Sequence, residues 1–339
     1  MPASNAPPTA ASVSTADKPS SATASAAAAS STAAKPSAAA SAAAKPAVSG
    51  LTHVKIGVTS KDANYLFLYL AQDLGIFAKH GLDAEIVVGQ PAALTTGLAQ
   101  GDVDFYATPS TVAQGAERGL PLRLIMVASD QPLYFLVGDM GISQIAQLKG
   151  KQIAGSPPGQ IPSLVTDTLL QLGGLKTSDY TIVPTANDPA RAALVESHNA
   201  AAAVVGFNEM TPLIAAGHPL IDTAVGKVFF PIVGLGVTTS TLQNRRDMAQ
   251  RAVDAALEAV HLIVTDKDQT VGVLTKDFGL SQADASKAYD LAKPAYTTNG
   301  RASEKAVQFQ LDSDAKNLNL PQPFKEDQIY DYSLLPKSS

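Results

Sequence analysis

GDVDFYATPSTVAQGAERGLPLRLIMVAS, residues 101–129, decides the fold class. A helical pattern runs into Gly101, and residues 103–107 then read as a short buried strand. Thr108 is expected to cap a new helix with Pro109 in its first position, Gly119 closes that helix, and residues 122–128 read as another strand. Thr108, Pro109, Ser110 and Thr111 thus place small polar residues at a helix N-terminus, where the preceding strand ends. Open α/β sheets bind small molecules at that place. No acid/base pair and no nucleophile lies in the stretch, so it points to binding rather than turnover.

Outward from this unit, strand and helix alternate. Strands are expected at 54–58 and 84–88 and helices at 64–79 and 91–99, with Gly81 closing the first helix. Residues 134–137 read as a crossing strand. A second series follows, with strands at 152–154, 180–183, 201–205 and 220–221. Its helices are expected at 162–172, 208–216 and from Asp188-Pro189 to Ser197. Residues 229–238 read as an extended return, and from 245 to 318 the pattern is helical, with Asp312 and Asp314 on a solvated face. This is an α/β chain of two successive halves with mixed sheets and C-terminal helices. The return predicts a first lobe of 51–138 plus 237–339 and an inserted second lobe of 139–236.

Residues 1–50 belong to neither half. They hold 20 Ala and 11 Ser and no aromatic, Leu or Ile, too little apolar surface to offset the entropy of ordering. We read them as a flexible Ala/Ser/Pro-rich tether. They carry Lys18, Lys35, Lys45 and Asp17, or +2, against a net charge of −5, so the remainder is near −7. That charge argues against nucleic acid and against an anionic membrane surface as partners. The chain has no Cys, which excludes disulfides, thiolate metal sites and cysteine nucleophiles. Its five His (53, 80, 198, 218 and 261) are scattered without metal-ligand spacing, so no metal and no cofactor are expected.

Several segments follow a known pattern in order: KIGVTS (55–60), LGIFAKHGLDAEIV (74–87), LAQGDVDFYAT (98–108), GLPLRLI (119–125), QLKGKQIA (147–154) and RAALVESHNAAAAVV (191–205). Together they resemble the substrate-binding proteins of ABC importers in the nitrate, sulfonate, taurine and thiamine-precursor group. The resemblance implies a type II periplasmic binding protein fold, with two lobes closing on a small organic solute such as a sulfonate, aromatic acid or pyrimidine. It also implies delivery to an ABC permease, an extracytoplasmic location and a monomer. An Ala/Ser/Pro-rich tether in such proteins follows a lipidated Cys, so a signal sequence is expected upstream of Met1. The alternatives are another start site or a disordered cytosolic extension. Two departures stand out. Asn199-Ala200-Ala201-Ala202 replaces the usual Gly-x-Val-Asp-Ala, and the Cys-rich motif of the pyrimidine-synthesising enzymes of this fold is absent.

In a two-lobed binder the ligand touches loops at strand ends and the adjoining helix starts, here 59–65, 90–94, 108–111, 129–131, 155–160 and 206–209. The candidate ligand-binding residues are Thr59, Asn64, Tyr65, Gln90, Ala92, Thr108, Ser110, Asp130, Ser156, Gly159, Gln160, Arg191, Phe207, Asn208 and Glu209. Free backbone N–H groups at such helix starts hold an anion without a lysine. Tyr65 and Phe207 are placed to stack on a planar ligand or to serve as core, with core favoured. Asp130 and Glu209 would meet a cationic or N–H-rich ligand, or form a solvated rim. Arg191 would clamp a carboxylate or sulfonate, or brace its own helix, with bracing favoured. The loops fit a monoanion held on N–H groups and a neutral heterocycle equally. The rival readings are an enzyme on this fold, such as a lyase acting on an organic acid through Asp130 or Glu209, and a ligand-sensing module.

Overall fold

The computed structural model describes residues 50–157 and 160–337. The tether expected at 1–50 lies outside them except for Gly50. The chain opens with β1 (Thr52–Val58), α1 (Leu66–Asp73), α2 (Ile76–Lys79) and β2 (Leu82–Val88). The single helix expected over 64–79 is broken, because Gly75 takes a left-handed φ of 68° that ends one helix and starts the next. Then come α3 (Pro91–Gln100), β3 (Phe105–Tyr106), α4 (Pro109–Glu117) and β4 (Leu122–Ser129). Both helices begin with the proline that marked them in the sequence.

The second half contains β5 (Phe135–Gly138), β6 (Gln152–Gly155), α5 (Ile161–Leu172), β7 (Thr181–Pro184) and α6 (Asp188–Glu196). It ends with β8 (Ala202–Val205), α7 (Phe207–Ala215) and β9 (Leu220–Thr223). After β10 (Val233–Thr238) the chain is helical: α8 (Thr239–Asn244), α9 (Arg246–Thr265), α10 (Lys267–Phe278), α11 (Gln282–Ala292) and α12 (Glu304–Asn317). Among the described residues no helix is long and apolar enough to cross a membrane.

Two five-stranded sheets result, ordered β2-β1-β3-β10-β4 and β7-β6-β8-β5-β9. Each is parallel except for one antiparallel strand, β10 in the first and β5 in the second. Those two strands are where the chain changes sheets. Residues 130–134 carry it from β4 to β5, and 224–232 bring it back from β9 to β10. Both changes come earlier than the lobe breaks expected at 138 and 237. Residues 135–138 already pair in the second sheet and residues 233–238 already in the first, because these strands are cross-connections paired at once on arrival.

Sheet faces are apolar on both sides, as parallel strands require. Val54, Ile56 and Val58 pack with Leu70 of α1 and Val253 and Ala256 of α9. Val112 and Ala113 of α4 pack with Leu122, Leu124 and Leu311 on the other face. In the second sheet Leu136, Ile153 and Val204 meet Val165 and Leu169 of α5. The largest apolar cluster is shared by the two sheets, with Leu66, Phe135, Phe207 and Leu274 among its members. Gly138, at the end of β5, lies so close to the Ile142 carbonyl oxygen that any Cβ would overlap it. Gly138→Ala is expected to destabilise the protein by about 1–3 kcal/mol through forced backbone movement, read as a lower urea midpoint. An unchanged midpoint would show that this turn relaxes freely.

Candidate functional site

The loops that follow β1 and β3 face those that follow β6, β7 and β8 across a cleft beside the two crossing segments. It has two chambers, of about 360 and 550 Å³, and Tyr134 on the first crossing lines both. Of the sequence candidates, Asn64, Phe207, Asn208 and Glu209 line the first chamber. Ser110 and Gln160 line the second.

Three of the others form a strut beneath the site. The Tyr65 hydroxyl lies 2.8 Å from Thr59 Oγ1 and 2.7 Å from Thr108 Oγ1. These bonds tie the loop after β1 to the start of α4. Thr108 stands at the N-cap of α4 with extended backbone, as expected, but its side chain makes no capping bond to that helix. Burial pushes the Tyr65 phenol up from its ordinary value, so it stays a neutral hydrogen-bonding hydroxyl. Tyr65 is core, the alternative favoured for it. Phe207 is buried too, edge-on to Phe135 with ring centroids 6.1 Å apart, and it also borders the first chamber.

The remaining candidates among the described residues line neither chamber. Gln90 and Ala92 sit exposed at the start of α3, beyond the edge strand β2. Asp130 is neither a rim residue nor a chamber residue. It is 4% exposed, and its Oδ2 accepts a 2.8 Å bond from the Ser303 N–H at the cap of α12. Ser156 is buried with its hydroxyl unpartnered among the described residues. Gly159 lies outside the described residues. Arg191 is 1% exposed, donating from Nε to the Val204 carbonyl at 2.7 Å and from its terminal nitrogen to Asp188. It braces α6 against β8, the alternative favoured for it.

The structure adds Asp62, Asn187, Asp188 and Tyr134 to the first chamber. Asp62 stands within the 59–65 loop, accepting from Ser60 Oγ and, at 2.9 Å, from the Asn64 N–H. The cap of α6 is Asn187 and not Asp188: Asn187 Oδ1 accepts from the Ala190 N–H at 2.9 Å. That leaves Asp188 free to accept from the Gly206 N–H at 2.8 Å. A Cβ on Gly206 would lie 3.0 Å from Asp188 Oδ2 and 3.3 Å from Glu209 Oε2, so both carboxylates crowd one stretch of backbone. Burial, and next the neighbouring Asp188, raise the Glu209 carboxyl above its ordinary value.

In the wall of the second chamber, at Gln114 and Asp314, lies a feature that sequence reasoning misread. Asp312 is exposed as expected, but Asp314 is 1% exposed. Residues Val307, Gln310, Leu311 and Asp314 form the inward stripe of α12, and Asp314 accepts from Gln114 Nε2 of α4 at 3.0 Å. Glu117, one turn further along α4, is 6% exposed, and both its carboxyl oxygens are unpartnered among the described residues. Burial pushes Glu117 up to about 8, helped by Asp314, and pushes Asp314 up to about 6.

Among the described residues no group of His, Cys, Asp and Glu is arranged to hold a metal ion. The five His that fall among them make local contacts or none: His53 with Asp83, His80 with Glu258, and His198 and His218 with Asp139.

Two mixed sheets joined by two crossings, with a polar cleft between them, define the type II periplasmic binding protein architecture. A family model described as NMT1/THI5 like matches residues 62–270, and the chain belongs to that family. No protein of curated function matches the sequence. The fold is similar to the periplasmic aliphatic sulphonate binding protein SsuA from Escherichia coli, with 17% identity over 82% of this chain and 96% of that one, TM-score 0.67. It is likewise similar to the alkanesulfonate-binding protein SsuA from Xanthomonas axonopodis pv. citri bound to MOPS (16% identity, 84% and 100% covered, TM-score 0.62). A third similar structure is a variant of DszB in complex with biphenyl-2-sulfinic acid (16% identity, 84% and 97% covered, TM-score 0.62).

Proposed function

We propose that this protein is the solute-binding component of an ABC importer, capturing a small organic molecule outside the cytoplasm and delivering it to a membrane permease. The observation that carries this reading is a cleft whose polar lining comes from both sheets: Asp62 and Asn64 on one side, Asn187, Asp188, Asn208 and Glu209 on the other. A ligand touching both sides stabilises the closed arrangement, and that population shift is the signal a permease reads. The similar solved structures described as sulfonate-binding proteins support a solute-binding role. The protein acts as a monomer, without metal, cofactor or nucleic acid, and residues 1–50 serve as a tether from a lipidated membrane anchor.

A second reading, an enzyme on this fold, draws on the likeness to DszB and on Glu209, whose raised carboxyl in the first chamber is the group best suited to hold a transferable proton. A thermal-shift screen separates the two, using sulfonates, aromatic carboxylates, pyrimidines, nitrate and organic amines. A bound solute at 100 times its Kd adds about 2.7 kcal/mol of stability. Recovery of the stabilising compound unchanged is the expected result. Its consumption would overturn the transport reading in favour of the enzyme.

A further inference from the structure

We propose that the first chamber selects an organic cation, a solute carrying a protonated amine, amidinium or guanidinium group, over a sulfonate or other anion. This rests on the solute-binding reading above and names the chemical class of its ligand.

The charge of the lining is one-sided. Asp62 comes from the first-sheet side and Asp188 and Glu209 from the second, while no Lys or Arg is among the described residues that line the chamber. The nearest cations are spent elsewhere. Arg191 is buried on the Val204 carbonyl and Asp188. Lys61, beside Asp62 in sequence, pairs with Asp277 at 3.1 Å and lies over the Tyr69 ring. Arg191 balances Asp188, which leaves the Asp62 and Glu209 carboxylates without a cationic partner among the described residues.

The second observation concerns the donors on which an anion would rely. Helix starts bind anions through free backbone N–H groups. Side chains occupy such donors at two of these starts, Asp62 taking the Asn64 N–H and Asn187 the Ala190 N–H, while Asp188 takes the Gly206 N–H just ahead of α7, whose own first turn has no side-chain cap. At the uncapped start of α7 an anion would meet Glu209 of that first turn and Asp188 on the Gly206 N–H, acids that offset the positive end of the helix. The charged groups of the lining are all carboxylates, on both sides, and the amides of Asn64, Asn187 and Asn208 add neutral acceptors and donors. A cation meeting Asp62 and Glu209 together draws the two sides toward each other, and an anion would drive them apart.

The test is calorimetric titration of the full chain at low ionic strength with 1,4-diaminobutane, agmatine and benzamidine, and separately with ethanesulfonate. The expected result is one site per chain for at least one cationic probe, with no ethanesulfonate binding at millimolar concentration. Glu209→Gln and Asp62→Asn should each weaken the cation at least tenfold while leaving the unliganded melting temperature near its starting value. Acidification should also weaken it, because burial and Asp188 raise the Glu209 carboxyl above its ordinary value and its protonation removes the attracting charge. Ethanesulfonate binding without cation binding would overturn the inference and leave the solute-binding reading intact. Cation binding unchanged in both variants, or no binding of any cationic probe, would also overturn it. Consumption of a bound probe would instead remove the solute-binding reading and leave the charge preference standing.

Discussion

Raising the pH from about 5 to about 9 is expected to reduce the stability of this protein by on the order of 3 kcal/mol, and Glu117→Gln is expected to remove most of that loss. The cause is the buried pair between α4 and α12. Glu117 is pushed up to about 8 and Asp314 to about 6, from ordinary values of 4.5 and 3.8. Between those limits the folded protein holds protons that the unfolded chain releases, so stability falls as pH rises. The effect is complete once the pH passes the folded value of Glu117. Carboxyls held below their ordinary values, such as Glu258 beside Lys79 and His80, act in the opposite sense and in more acidic solution. His53, raised mainly by its bond to Asp83, has the same sign as Glu117, but it is exposed and contributes little. Urea unfolding at several pH values checks the expectation. Glu117→Gln should flatten the profile and exceed the parent in stability at pH 9. A parent profile already flat between pH 5 and 9 would show that water reaches the pair.

Arg191→Ala is expected to cost about 3–5 kcal/mol, the range for breaking a buried ion pair by removing one partner. Its guanidinium is the largest fully buried side chain among the described residues, and it serves two acceptors at once. Removing it strands the Val204 carbonyl inside the second sheet and leaves Asp188 uncompensated beside Glu209. Arg191→Lys should recover only part of the loss, since a single ammonium cannot replace the planar fork that reaches both acceptors. Thermal unfolding of the three proteins checks this. Near-parental stability of the alanine variant would show that the crossing between α6 and β8 repacks without the charge. Because Asp188 borders the first chamber, the variant should also lose ligand-induced stabilisation.

The alternation of sheet and helix was legible because its signals are local. Pro at the first turn of α3 and α4, apolar runs with small residues at their ends and glycine after helices all act within a few residues. The lobe breaks were less legible: β5 and β10 look like any other buried strand, and only pairing shows which sheet takes them. Gly75 was hidden for a similar reason. It sits inside an apolar helical pattern, and a single left-handed glycine divides that pattern without altering its period. The site was half readable. Fold geometry located the loops, so Asn64, Asn208 and Glu209 were found from their positions alone. Asp62 lay in a named loop, Asp188-Pro189 was seen only as a helix start, and Asn187 was not singled out. The polar residues at the helix starts are also those that line the chamber, and no local rule separates these roles. Asp130 and Asp314 went astray because burial of a carboxylate depends on which distant element covers it: the start of α12 meets Asp130, and α4 meets Asp314.

The central claim is that one small molecule is gripped from both sheets at once. Hydrogen exchange of the full chain, free and saturated with the compound giving the largest thermal shift, tests it most directly. The account predicts simultaneous protection at 60–65 after β1, at 187–191 in α6 and at 206–210 at the start of α7, with the outer helices unchanged. Protection confined to one side of the cleft, or located away from all three segments, would contradict it.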